Sequence, residues 1–457
     1  MKNTLKVHFL GASGTVTGSK FLIETNNHKI LIDCGLFQGL KKLRQMNWDY
    51  LPVNANEIDC ILLTHGHLDH CGFIPRLVNM GFKGEILGTQ PTLKIAEIIL
   101  KDSAKIQEEE AAKANKYHYS KHDPAEPLYT IKDAEKAIQH FSPIHDNQWY
   151  EVREGIKARF RYAGHIIGAT FIELNVNGER LVFSGDLGRQ NDLLMRAPET
   201  PAKADYLFIE STYGNKIHPI VDIEQKLADI IQHTYDKGGN LIIPAFAVER
   251  AQLLMFILWK LRMKRKIPSI PMVLDSPMGS NVLKVFGNYS EWHKMSNADC
   301  QAMCDSFIIV EDYRETLQLS QDNTSKIIIA GSGMVTGGRV LNYLVELLDD
   351  TATSIFLVGF QAEGTRGRDL LEGASELKIF GKYFPVKAEV FSDESMSAHG
   401  DQKDLLDWVS NIVTPPKNTF IIHGEPHAAD ALRRKFEDTL KWKAHIPELY
   451  EIVDLSN

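Results

Sequence analysis

Three histidines and an aspartate crowd six consecutive positions in "LLTHGHLDHCG", residues 62–72, directly after an apolar run. In an extended chain, residues two apart face the same way, so His65 and His67 can grip one cation. The turn that must follow displaces Asp69 and His70 toward a second point, suited to another ion. Imidazole nitrogens with a few carboxylate oxygens suit Zn²⁺, with Mn²⁺ or Fe²⁺ as alternatives. Four ligands do not fill two coordination spheres, so further donors are expected elsewhere in the chain.

Polar residues closing apolar runs are the natural source, because a rigid strand end fixes a loop side chain. His165 in "YAGHIIGA", Asp186 in "LVFSGDLG" and His423 in "TFIIHGE" each follow such a run. Asp186, a carboxylate, could bridge two cations. Asp33 ends "ILIDCG" and suits the orientation of a ligand histidine. Glu210, ending "YLFIES", and His399, in "SMSAHGD", suit proton donation to a leaving group as a carboxylate–imidazole pair. His8, His28, His118 and His122 lack such surroundings and read as structural.

The elements that must position these residues follow from the pattern. Strand-like runs "LKVHFL", "KFLIE", "HKILID", "CILLT" and "GEILG" fill the first quarter. Residues 91–140 read as helix, interrupted by the polar "YHYSKHDPAEP", before a second strand-rich stretch from "IKARFRYAG" to "DYLFIES". Past about residue 210, helical segments 221–237, 247–264 and 338–349 alternate with the apolar runs "NLIIPA", "IPMVLD", "SFIIV", "KIIIAG" and "SIFLVGF". That alternation implies a parallel sheet with helices on both faces. From about 376 the first style returns, so an α/β unit inserted in another domain is expected.

Composition bounds the rest. A chain of 457 residues implies two domains, and 44% hydrophobic with 24% charged residues is ordinary for a globular protein. No apolar run reaches the length of a membrane span. Five cysteines without a pairing pattern point to a reducing, cytoplasmic setting. Net charge −8 argues mildly against a nucleic-acid partner, although bound dications would dominate the field locally. The basic "WKLRMKRK" at 259–266 reads as a solvated helix end. Neither "GASGTVTGSK" nor "GSGMVTGGR" has a nucleotide-binding order of residues. The second leaves a phosphate contact and a plain tight turn as alternatives.

"THGHLDHCG", "AGHIIGA" and "SGDLG", in this order after apolar strands, resemble the metallo-β-lactamase fold. "IPAFAVERAQ", "DSPMG", "GSGMVTGGRVL", "GFQAEGTRGRDLLEG", "FSDESMSAHGD" and "IIHGE" resemble its β-CASP nuclease branch, in particular bacterial and archaeal ribonucleases akin to the nuclease subunit of the pre-mRNA 3′-end cleavage complex. The resemblance implies an α/β chain, an αββα sandwich at 1–209 and 386–457 interrupted by a doubly wound parallel-sheet β-CASP domain at 210–385. It implies one zinc on His65, His67 and His165, and a second on Asp69, His70 and His423. Asp186 bridges the two, Asp33 orients a ligand, and Asp69 counts among the catalytic residues. Ser332, Gly333, Arg339, Arg366 and Ser397 are the substrate-binding candidates, with Arg368 and Lys382 as further cations along the strand.

The expected activity is hydrolysis of single-stranded RNA as an endoribonuclease, with 5′-exonuclease action left open. Hydroxide shared by two Zn²⁺ ions attacks phosphorus, and His399 is the general acid. A homodimer is compatible with the sequence. A small-molecule metallohydrolase would share the zinc ligands without needing residues 210–385 or His399. A non-catalytic RNA-binding scaffold should have lost ligands, and none of the expected ones is missing.

Overall fold

The computed structural model describes residues 4–118, 120–359 and 361–456. Contacts divide the chain into one unit of Met1–Ile217 with His399–Asn457 and another of His218–Ala398.

The first unit is built on two seven-stranded sheets. Strand Leu5–Phe9 alternates buried Leu5, Val7 and Phe9 with outward Lys6 and His8, as an antiparallel strand with one covered face should. It pairs antiparallel with Phe21–Thr25, which turns back into Lys29–Ile32. From there the sheet is parallel through Cys60–Leu62, Glu85–Thr89 and Phe141–Ile144. The second sheet runs antiparallel through Tyr150–Arg153, Ile156–Tyr162, Thr170–Val176 and Glu179–Phe183. It continues parallel into Tyr206–Glu210 and Asn418–Ile422. Inner faces of both sheets share one apolar cluster that includes Phe9, Phe21, Phe160, Phe183, Phe208 and Phe420. The outer face of the first sheet is covered by Ile74–Asn79, the long helix Gln90–Tyr117 and Ile131–Ile138.

The second unit carries a six-stranded parallel sheet. Its inner strands, such as Leu241–Pro244 and Ile327–Ala330, are buried throughout, the mark of a sheet covered on both faces. Its limits differ from the expected 210–385. The edge strand Glu389–Asp393 pairs in parallel with Ser354–Val358, so residues 386–398 stay with this sheet. Residues 210–217 stay with the first unit, because Glu210 closes a strand of that unit's second sheet. The apolar runs at 376–385 form a separate hairpin, Glu376–Ile379 with Lys382–Pro385.

Candidate metal centre

Parallel strands end at the same edge of their sheet, and that edge collects the polar residues. Lys29–Ile32 delivers Asp33 and Cys60–Leu62 delivers the histidine cluster. In the second sheet, Ile156–Tyr162, Glu179–Phe183, Tyr206–Glu210 and Asn418–Ile422 share a direction and lead to His165, Asp186, Glu210 and His423.

Two sets of four donors result. His65, His67, His165 and Asp186 form one, and Asp69, His70, His423 and Asp186 the other; the donor atoms of each set lie within 4.8 Å of one another. In the first set His67 Nδ1 lies 3.1 Å from His65 Nε2 and 3.2 Å from His165 Nε2. Asp186 Oδ2 lies 3.4 Å from His65 Nε2 and 3.6 Å from His165 Nε2. In the second, His70 Nε2 lies 3.2 Å from His423 Nε2, 3.2 Å from Asp186 Oδ1 and 3.9 Å from Asp69 Oδ2. His423 Nε2 lies 3.4 Å from Asp69 Oδ2. A tetrahedron drawn with bonds of about 2.0–2.1 Å has an edge of about 3.3–3.4 Å; the separations of 3.1–3.6 Å lie near it, and His70 to Asp69 at 3.9 Å is wider. The two oxygens of Asp186 are divided between the sets. Asp186 Oδ1 is buried, and its neighbours His70 Nε2 at 3.2 Å and His423 Nδ1 at 3.6 Å do not meet it with hydrogen-bond geometry, as suits a carboxylate oxygen meant for a cation. The donors fit a divalent metal.

Charge states in the first set agree with this, while in the second a proton on His70 must leave before Nε2 can bind a metal. Burial pushes His65 down to about 3 and His67 to about 4, and holds His165 well below its ordinary value, leaving lone pairs free for a metal. Burial works against an ionised Asp186, yet His423, His70 and His65 outweigh it and keep the group a carboxylate. Burial also opposes a charged His70, and Asp186 and Asp33 override it.

A surrounding layer aims these groups. Asp33 Oδ2 accepts from His70 Nδ1 at 2.7 Å and from Thr64 Oγ1 at 2.8 Å, while Oδ1 accepts from Thr64 N at 2.8 Å. That fixes Nε2 of His70 toward the cluster. Asp33 and His423 hold positive φ of 57° and 48°, a conformation costly outside glycine and concentrated at functional sites. Gly35 allows the close approach of the Asp69 segment, since a Cβ there would stand 1.6 Å from Asp69 O. Thr64, Ser19 (Oγ to His70 Nε2, 3.4 Å) and Thr212 (Oγ1 to His423 Nδ1, 3.3 Å) were not foreseen from the sequence.

His399 forms a third group of possible donors with Asp186 and Glu210 among the described residues. Its Nδ1 is 3.2 Å from Glu210 Oε2, and its Nε2 is 4.0 Å from Asp186 Oδ2. Glu210 is fully buried and also accepts from Leu187 N at 2.6 Å. Burial opposes protonation of His399, but Glu210 and then Asp186 outweigh it and raise the imidazole to about 9.

The expected substrate-binding residues all lie in the second unit. Arg339 is committed to internal partners, donating to Asp275 Oδ1 (3.0 Å), Glu311 O (3.2 Å), Asp312 O (3.3 Å) and Thr316. Arg366 donates to the carbonyls of Lys378 (2.6 Å) and Thr336 (3.1 Å). Ser332 Oγ accepts from Thr336 N and Gly337 N within the turn that contains Gly333. Arg368 pairs with Glu372 at 2.7 Å, and Ser397 is buried. Among the described residues, no helix is long and apolar enough to cross a membrane.

Comparison with known proteins identifies the domains. Residues 22–204 match a metallo-beta-lactamase superfamily domain, 251–370 a Beta-Casp domain, and 383–447 a Zn-dependent metallo-hydrolase RNA specificity domain. The chain is 31% identical over 432 residues to ribonuclease TTHA0252 of Thermus thermophilus, covering 92% of this chain and 94% of that one. It is 29% identical over 456 residues to the transcription termination factor FttA of Methanocaldococcus jannaschii, covering 95% of this chain and 69% of that one. A crystal structure of a protein of unknown function from Enterococcus faecalis matches 99% of this chain and 100% of its own, with a TM-score of 0.58 and 15% identity. That likeness concerns the fold alone.

Proposed function

The chain belongs to the β-CASP family of metallo-β-lactamase-fold proteins, and from that premise we propose that it is a two-zinc endoribonuclease acting on single-stranded RNA. The observation that carries the reading is Asp186, whose two oxygens each complete a separate set of three further donors. His65, His67 and His165 would hold one ion, Asp69, His70 and His423 the other, with Asp186 between them. Bound metal there supplies Lewis acidity, which activates water and neutralises phosphoryl charge.

The chain's own residues do the rest. Asp33 and Thr64 hold His70 in one ring orientation. His399, kept protonated by Glu210, gives a proton to the 3′ oxygen as its bond to phosphorus breaks. Water supplies the oxygen that ends on phosphorus, so the products carry 5′-phosphate and 3′-hydroxyl. A single strand suits ligands that are buried or half-buried, which a paired stem would approach poorly. The five free cysteines fit a cytoplasmic setting.

The test combines elemental analysis with mapping of first products from single-stranded RNA bearing a 5′-hydroxyl or a 5′-phosphate. About two zinc ions per chain and internal cuts on both RNAs are expected. Asp186→Ala should lose both ions. Full nuclease activity with one metal per chain, or products carrying 3′-phosphate, would overturn the mechanism.

A further inference from the structure

Residues 38–50, "QGLKKLRQMNWDY", bury only Asn47 and leave most of their cationic and aromatic side chains outside the core. The helix Lys41–Met46 buries none of its residues. Leu40 is 74% exposed, Trp48 48% and Tyr50 80%. Lys41, Lys42 and Arg44 are exposed, and among the described residues none of them forms an ion pair. The contrast is with 259–266, where Lys260 and Lys264 both bind Glu224 and Arg262 donates to Ile270 O.

The segment is nonetheless firmly rooted. Buried Asn47 clamps its base, accepting from Phe37 N at 2.9 Å and donating to Phe37 O at 2.8 Å. Arg76 donates to Trp48 O at 3.3 Å. The chain just before it is part of the metal framework. It leaves Asp33, and Leu36 N donates at 3.0 Å to Leu68 O, beside Asp69 and His70.

We propose that residues 38–50 form an RNA-docking surface, in which Lys41, Lys42 and Arg44 take phosphates of a single strand while Trp48 and Tyr50 stack on its bases. Three cations against the single carboxylate of Asp49 make this stretch positive in a chain of net charge −8. Exposed aromatics interleaved with cations are what sequence-tolerant binding of single strands requires. A second copy of the chain is the poorer occupant, because a two-fold contact sets the same patch face to face and three cations would meet three cations. The inference rests on the reading of this chain as an RNA hydrolase.

Binding is measured by fluorescence anisotropy with a short labelled single-stranded RNA over a series of salt concentrations. All proteins are zinc-loaded and carry His399→Ala so that the RNA persists. Charge reversal of Lys41, Lys42 and Arg44 to Glu should make the plot of log affinity against log salt shallower by about 2, three contacts at about 0.7 each. Trp48→Ala with Tyr50→Ala should weaken binding at least about fivefold and leave the salt slope unchanged. None of these side chains is buried, so the variants should melt at the parental temperature. Parental affinity and slope in both variants would overturn the proposal. So would parental affinity together with loss of a dimer seen for the parent by sedimentation, which would assign the patch to a second copy. Cleavage is not read here, so failure of the hydrolase reading and failure of the docking surface are distinguishable.

Discussion

His70 and His399 are alike in one respect, since each rests Nδ1 on a buried carboxylate, Asp33 at 2.7 Å and Glu210 at 3.2 Å. They differ at the other nitrogen. His70 Nε2 is 3.2 Å from Asp186, the spacing of a shared ion, whereas His399 Nε2 stands off at 4.0 Å. A carboxylate behind a ligand fixes its tautomer; behind a non-ligand it stabilises the imidazolium. His399→Ala should therefore retain both zincs while cleavage of RNA falls roughly 10²–10⁴-fold, the usual worth of a placed proton donor. A phosphodiester with a nitrophenolate leaving group should lose much less, because that group departs without protonation. Loss of a zinc, or equal loss on both substrates, would remove His399 from the acid's role. Glu210→Gln adds a test with a definite sign. The acid form disappears as pH rises through the imidazole pKa, which the Glu210 carboxylate holds up. Removing that charge must move the alkaline limb of kcat to lower pH, and an unmoved limb would contradict the pairing.

At the scale of elements, the centre hangs on loops that the strands deliver to one edge, and those loops need bracing. Lys20 provides some of it. Its buried Nζ donates to Gly18 O at 3.1 Å and Gly35 O at 2.6 Å and lies over the rings of Phe37 and Phe73. Burial lowers its pKa to about 8, so the folded chain releases the proton near pH 8 while the unfolded chain keeps it to about 10.4. Between those values the unfolded state binds more protons, and stability rises with pH by about 1.4 kcal/mol per unit of displaced pKa. Lys20→Met removes this gain, so urea titrations on either side of pH 8 should show the parent gaining on the variant as pH rises. A constant difference would mean that Lys20 is not buried as a cation. The polar residues closing apolar runs were legible in the sequence, because strand periodicity marks where a run stops and the donor types mark what it delivers. The braces were not. Thr64, Ser19 and Thr212 act on partners 31, 51 and 211 residues away, and only the folded sheets bring these together. The strand Glu389–Asp393 lies past the expected limit at 385, yet joins the second unit's sheet, for a related reason. Its apolar pattern says strand, and nothing local says which sheet it joins.

Across the chain as a whole, the seven proposed ligands would work as a cross-link once metal is bound. His70 and His423 are 353 residues apart in sequence and 3.2 Å apart at their Nε2 atoms, and all of His218–Ala398 lies in the loop between them. All seven proposed ligands belong to the first unit. Without an ion, the nitrogens of His65, His67 and His165 that face the cluster have one another and Asp186 as their nearest polar neighbours. Metal binding, as proposed, would then be folding energy for this unit. At a hundredfold excess over Kd, one ion adds about 2.7 kcal/mol, and a domain of this size moves about 2–4 °C per kcal/mol. Chelation should thus lower the melting temperature by at least about 5 °C. Hydrogen exchange followed by mass spectrometry locates the effect. Cys60–Leu62 and Asn418–Ile422, which lead to proposed ligands, should lose protection first. Met272–Asp275 and Ile327–Ala330 of the second unit should keep theirs. An unchanged melting temperature after verified removal of zinc, or protection lost equally from both units, would mean that the ions do not staple the first unit together.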